Sequence, residues 1–150
     1  MGAVCSRAPS LMIVLLDTNI FISAFMTSGT PPDRIYNHWR AKAFILATCF
    51  DQLEELRRVS RYTQMRPRLQ QHRVGTLINL LQDTDYAFYY DIKIGEVARD
   101  PDDSWMLALA TASRAHFLVT GDKRAGILER RSVAQAEVIT ATDFCRRLGI

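Results

Sequence analysis

The sequence predicts an α/β fold: a three-layer α/β/α sandwich around a central, mainly parallel sheet of about five strands. Three observations carry this. The run "LMIVLL", Leu11 to Leu16, is uninterruptedly apolar, as a strand covered on both faces must be. Similar short apolar runs recur along the chain, and segments at helical spacing separate them. The composition, 48% hydrophobic and 23% charged over 150 residues, is that of one globular domain.

The elements follow in order. After Leu16 the chain meets Asp17, then Thr18 and Asn19, which suit a helix start, with Ile20, Phe21, Ala24 and Phe25 at helical spacing. "TSGTPPD", Thr27 to Asp33, is a loop, and Pro32 fits the first turn of a second helix through about Lys42. "AFILAT", Ala43 to Thr48, is a second strand. A helix from Phe50 to about Tyr62 turns Phe50, Leu53, Leu56 and Val59 inward. Pro67 interrupts a basic connection. A helix over about Leu69 to Gln82 follows, with Val74, Leu77, Ile78 and Leu81 as its apolar stripe.

"YAFYYDI" is β-prone through its aromatics and reads as a short strand. "DPDDS", Asp100 to Ser104, is a turn into an Ala- and Leu-rich helix from about Asp103 to Arg114. "FLVT", Phe117 to Thr120, is a buried strand. A short helix is expected over Lys123 to Glu129, "EVIT" is the last strand, and Thr142 or Asp143 caps a C-terminal helix. Residues 1–11 are expected to be an N-terminal extension or disordered tail, leaving 12–150 as the domain. No repeat or low-complexity tract is visible.

Net charge is +3, which permits an anionic partner without demanding one. The charges are segregated. Six arginines and no acid lie between Arg57 and Arg73, while acids gather at Asp17, Asp51 to Glu55, Asp100 to Asp103, and Asp122. The 3 cysteines are widely spaced without a C-x-x-C pair, and the 3 histidines are scattered singly. Neither pattern is that of a zinc site or a disulfide framework, and a reducing cytoplasm fits. No apolar stretch approaches a membrane span or a secretory signal.

In a parallel sheet, ligand sites lie beyond the carboxyl ends of the strands. Asp17 follows the first strand directly, Asp122 follows "FLVT" by one residue, and Asp103 opens a helix, so one edge can collect all three. Glu55 is the fourth candidate. It lies four before Val59 and borders the inner stripe, whereas Glu54 lies four before Arg58 and leans toward solvent. Singly, each acid has a structural explanation: a helix cap for Asp17 and Asp103, a turn for Asp122, an exposed helix charge for Glu55. Jointly, a group of four would protonate, splay apart or bind a cation. Two carboxylates ~5 Å apart at an effective dielectric of ~20 repel by about 3 kcal/mol. Oxygen-only ligation suits Mg2+ or Mn2+, which would polarise a phosphodiester and acidify a water.

At these residues the chain resembles the PIN-domain nucleases, and most closely the bacterial PIN toxins of toxin–antitoxin pairs (VapC-like). The matching pieces are "VLLDTNIFISAF", "LEELRRV" and "DPDDSWMLALATASRAHFLVTGD", followed by a final strand and helix, in the family's order. The resemblance implies divalent-metal-dependent cleavage of RNA, with Asp17, Glu55, Asp103 and Asp122 as the acidic, metal-holding pocket. It implies support by Asn19 and Thr120, and Asp102 as a substitute for Asp103. It further implies a cognate antitoxin and a homodimer. Ser60 stands where the family usually has leucine. A nuclease must also hold RNA past its own acidic pocket. Arg57, Arg58, Arg61, Arg66, Arg68 and Arg73 are candidates, with Lys123 and Arg124 beside the pocket.

Two other classes compete. A receiver-like or haloacid-dehalogenase-like phosphotransfer domain also sets Asp after a strand. The phosphatase usually has a second Asp where this chain has Asn19, and the receiver's late lysine has no counterpart. A PIN-like fold could also bind RNA without cutting it.

Overall fold

A computed structural model describes residues 12–61, 71–92, 104–121 and 132–150. Within them run β1 (Ile13–Leu16), α1 (Thr18–Met26), α2 (Pro31–Arg40), β2 (Ile45–Cys49), α3 (Phe50–Ser60), α4 (Gln71–Leu81), β3 (Ala87–Tyr90), α5 (Ser104–Ser113), β4 (Phe117–Val119), β5 (Ser132–Val133), β6 (Ala136–Ile139) and α6 (Ala141–Leu148). The strands form one sheet in the order β3-β2-β1-β4-β6-β5. Every pairing is parallel except that of the two-residue β5 with β6. The expected α/β/α sandwich is the fold observed.

Alternation along the strands sorts side chains to two faces. Val14 and Leu16 of β1, Leu46, Ala87, Val119 and Ile139 meet α1, α2, α3, α4 and α6 in one cluster. Leu15, Ala47, Cys49, Leu118 and Ala136 meet α5 through Trp105, Met106, Leu109 and Ala110 in a second. The split follows from crossover handedness. The chain moves from β1 to β2 to β3 in one direction, then reverses to put β4 on the other side of β1. A right-handed crossover made in the reverse direction carries its helix to the opposite face, which is where α5 packs.

The first cluster is strongly aromatic. Phe21, Trp39, Tyr36 and Tyr86 meet edge-on, and the Trp39 indole donates to the Tyr86 carbonyl at 2.9 Å. The helix ends are set by local chemistry. Thr30 caps α2, accepting from the Asp33 amide at 3.4 Å, with prolines in the first turn.

Several expectations need correction. The cap of α6 is Thr140, whose Oγ1 accepts from the Asp143 amide at 3.1 Å, not Thr142 or Asp143. Asp143 instead sits in the first turn, where its charge complements the helix dipole. The strand β5 was not expected from the sequence; two residues carry no periodicity. Phe50 does not join the inner stripe of α3 but is 57% exposed. As the first helical residue it leans toward the N-terminus, past the end of the sheet, where no turn lies beneath it. Gln52, Leu53, Leu56 and Ser60 are buried in its stead. Ser60 satisfies its hydroxyl by donating to the Arg57 carbonyl at 2.9 Å, where the helix ends. The basic connection around Pro67 and the short helix over Lys123 to Glu129 lie outside the described residues.

Candidate functional site

The order of strands reverses between β1 and β4, and ligand crevices open at the carboxyl side of such a reversal. Leu16 pairs with Val119, so both strands end at the same level. The ladder runs one residue further, the Asp17 amide donating to the Val119 carbonyl at 2.9 Å. Asp17 on β1's side and Thr120 on β4's side therefore face each other at the carboxyl ends of the two strands. The Thr120 hydroxyl donates to Asp17 Oδ2 at 2.8 Å. The other oxygen, Oδ1, accepts from the Asn19 amide at 3.3 Å, as the N-cap of α1.

Asp17 is thus both a helix cap and a strand-end carboxylate, only 4% exposed. Asn19 supports it through its main chain, and Thr120 through its side chain. The helix capped by Asp17 points its positive end at the same carboxylate.

Glu55 is held by a second set of contacts. The amide of Gln52 donates to the Leu16 carbonyl at 2.6 Å, and its Oε1 accepts from Thr48 at 2.8 Å. Gln52 is itself buried, so α3 is docked by its first turn onto the ends of β1 and β2. Glu55 lies three positions after Gln52 on the same helical side, and residues so spaced have Cβ atoms ~5–6 Å apart. Glu55 thus lies one turn along α3 from Gln52, the residue that bonds the Leu16 carbonyl. Glu55 Oε2 accepts from the indole N–H of Trp105 at 3.2 Å, joining α3 to the first turn of α5. Glu54 is exposed and pairs at 3.7 Å with Arg57, one position before the expected Arg58.

Asp102, Asp103, Asp122, Lys123, Arg124, Arg66 and Arg68 lie outside the described residues. Among the described residues no three His, Cys, Asp or Glu side chains gather. Arg58 is exposed on the last turn of α3, and Arg61 is exposed at its C-cap. The guanidinium of Arg73 lies 4.5 Å from the Phe25 ring centroid and 5.3 Å from that of Tyr36, so its cation is stacked on aromatic rings.

The chemistry of the described donors fits a hard divalent cation. Asp17 and Glu55 offer carboxylate oxygens with lone pairs beyond those their donors use. Beside Asp17 in the chain, the buried hydroxyl of Thr18 has no hydrogen-bond partner among the described residues. Two softer side chains among the described residues are ill suited to the cation. Burial pushes the Cys49 thiol up to about 11, so it is a neutral thiol at pH 7. His116 is engaged at the amino side of the sheet, its Nδ1 accepting from the Ile13 amide at 3.0 Å.

Gln52 and Trp105 are the two contributors that sequence reading did not single out. Gln52 was hidden in a helix whose polar residues read as solvent-facing. Trp105 sits in an Ala- and Leu-rich helix that reads as packing. The only sequence signal was that Trp105 follows the acidic Asp102-Asp103 pair so closely.

Comparison with known proteins bears on the fold and the family. A search of curated proteins returned no match. The crystal structure of VapBC2 from Rickettsia felis, bound to a DNA fragment from their promoter, is similar in fold. It matches with a TM-score of 0.52 at 20% identity, over 86% of this chain and 98% of that one. The family model described as the PIN domain matches residues 13–124, a span that takes in Asp17, Glu55, Asp103 and Asp122. The chain belongs to the PIN domain family.

Proposed function

We propose that this PIN domain is a ribonuclease that hydrolyses RNA phosphodiester bonds with Mg2+ or Mn2+, and that it serves as the toxin of a toxin–antitoxin pair. The observation that carries the reading is the Thr120–Asp17 hydrogen bond at 2.8 Å, which holds a buried carboxylate at the β1/β4 reversal. Asp17 and Glu55, with Asp103 and Asp122, hold the cation. Trp105 follows Asp103 by two residues and Asp122 follows Thr120 by two, so both outlying acids are covalently close to residues of this edge. A bound divalent ion supplies charge that acidifies water and offsets the negative charge developing on the phosphodiester.

The chain's own groups do the rest. Asp17, fixed by Thr120 and the Asn19 amide, keeps one orientation and does not swing away between turnovers. The apolar strand ends beneath it exclude bulk water from one side of the carboxylate. Arg57, Arg58 and Arg61, with Arg66, Arg68, Arg73, Lys123 and Arg124, supply cations for the phosphates on either side of the cut. Such contacts give affinity without sequence choice. The similarity in fold to the VapBC2 structure supports a protein antitoxin as partner, and family membership supports a homodimer. No helix among the described residues is long and apolar enough to cross a membrane, and we place the chain in the cytoplasm.

The test is a cleavage assay on single-stranded RNA, with Mn2+, with Mg2+ and with EDTA, beside a DNA of the same sequence. Cleavage of the RNA alone, abolished by EDTA, is expected. RNA binding without cleavage in any metal would favour the non-catalytic reading.

A further inference from the structure

We propose that Trp105 is a positioning residue for the metal centre, its indole N–H fixing the carboxylate of Glu55 so that Glu55 presents its remaining lone pairs to the cation. This rests on the reading of Glu55 as a metal ligand. Three observations support it. The contact joins Trp105 Nε1 to Glu55 Oε2 at 3.2 Å across 50 positions of chain. Trp105 is 5% exposed, packed in the second cluster with Leu109, Ala115 and Leu118, so its ring has one seat. Glu55 is only half-buried, on a helix whose adjacent acid, Glu54, turns to solvent. A glutamate has three side-chain torsions, and ordering them costs entropy. An N–H donor on a rigid, buried ring meets that cost at folding rather than at metal binding. The donor also links α3 to α5, whose first turn follows the Asp102-Asp103 pair directly.

Binding of Mn2+ to the intact chain, followed by the electron paramagnetic resonance signal of the free ion, separates this role from packing. Trp105→Phe keeps an aromatic ring and loses the donor. It is expected to weaken Mn2+ binding about tenfold, as loss of a partner to a ligand side chain does. The same change made in a Glu55→Gln chain is expected to weaken binding no further. Equal weakening in both backgrounds, or no weakening in either, would overturn the proposal. If Glu55→Gln alone binds Mn2+ like the unmodified chain, Glu55 is no ligand and the underlying reading falls as well. A second measurement needs no tryptophan variant. Paramagnetic Mn2+ should quench part of the indole emission of the unmodified chain, Mg2+ should compete that quenching away, and Glu55→Gln should shift the quenching to higher Mn2+ concentration. Absence of quenching in an Mn2+-loaded chain would also overturn the proposal.

Discussion

The hydroxyl of Thr120 donates to Asp17 Oδ2 at 2.8 Å, joining two residues 103 positions apart where the strand order reverses between β1 and β4. Both side chains are buried, Thr120 fully. A hydrogen bond to a charged, buried group contributes more than a surface one. Thr120→Val keeps the shape and removes the donor. It is expected to destabilise the fold by about 1–3 kcal/mol, read as a lower midpoint in urea unfolding. A midpoint equal to that of the unmodified chain would mean that the bond does not hold the carboxylate.

Gln52 should prove as important to stability as any apolar core residue. Its amide satisfies the Leu16 carbonyl at 2.6 Å and the Thr48 hydroxyl at 2.8 Å, all three buried. Gln52→Leu fills the volume but strands two buried polar groups. The expected cost is about 2–4 kcal/mol, from one unsatisfied group after another, measurable by thermal or urea unfolding. A neutral result would show that the ends of β1 and β2 are held without this bridge.

Exposure separates two apolar residues of α3 that sequence spacing had grouped together. Phe50 is 57% exposed and Leu53 2%. Phe50→Ser is expected to change stability by no more than about 0.5 kcal/mol. Leu53→Ala should cost about 2–5 kcal/mol. Similar losses for the two variants in urea titrations would place Phe50 in the core after all.

Cys49 predicts an alkaline limit to stability. Its thiol is buried and its pKa rises from 9.0 to about 11, chiefly through desolvation. The folded state therefore holds this proton more tightly than the unfolded state. Its contribution is intact below pH 9 and is lost as pH rises from about 9 to about 11. Cys49→Ala should remove this part of the decline. Unfolding curves between pH 8 and 11 that run parallel for both chains would contradict the assignment.

Much of this edge was legible in the residues themselves. An apolar run that ends in Asp17 and Thr18-Asn19 marks a buried strand feeding a helix, because charge and apolar burial are incompatible except at a strand end. Helical spacing separated Glu55 from Glu54, and the structure turns Glu54 to solvent. What escaped is long-range and polar. The hydrogen bonds of Trp105 to Glu55 and of Gln52 to Leu16 span 50 and 36 positions and leave no periodic mark on the sequence. The choice of Thr140 over Thr142 as a cap was hidden for a different reason. "TATD" offers two threonines, and only the end of the β6 ladder decides which lies outside the helix.

Cleavage of single-stranded RNA by Asp17→Asn protein, compared with the unmodified chain at saturating Mn2+, reaches the central claim most directly. Asparagine keeps the size of the side chain and one oxygen, able to receive either the Thr120 hydroxyl or the Asn19 amide, while removing the negative charge. A folded variant, verified by circular dichroism, that has lost cleavage by at least about a hundredfold is the expected result. Undiminished cleavage by the folded variant would mean that the carboxylate at the β1/β4 reversal serves the helix cap alone and that no metal centre is built on it.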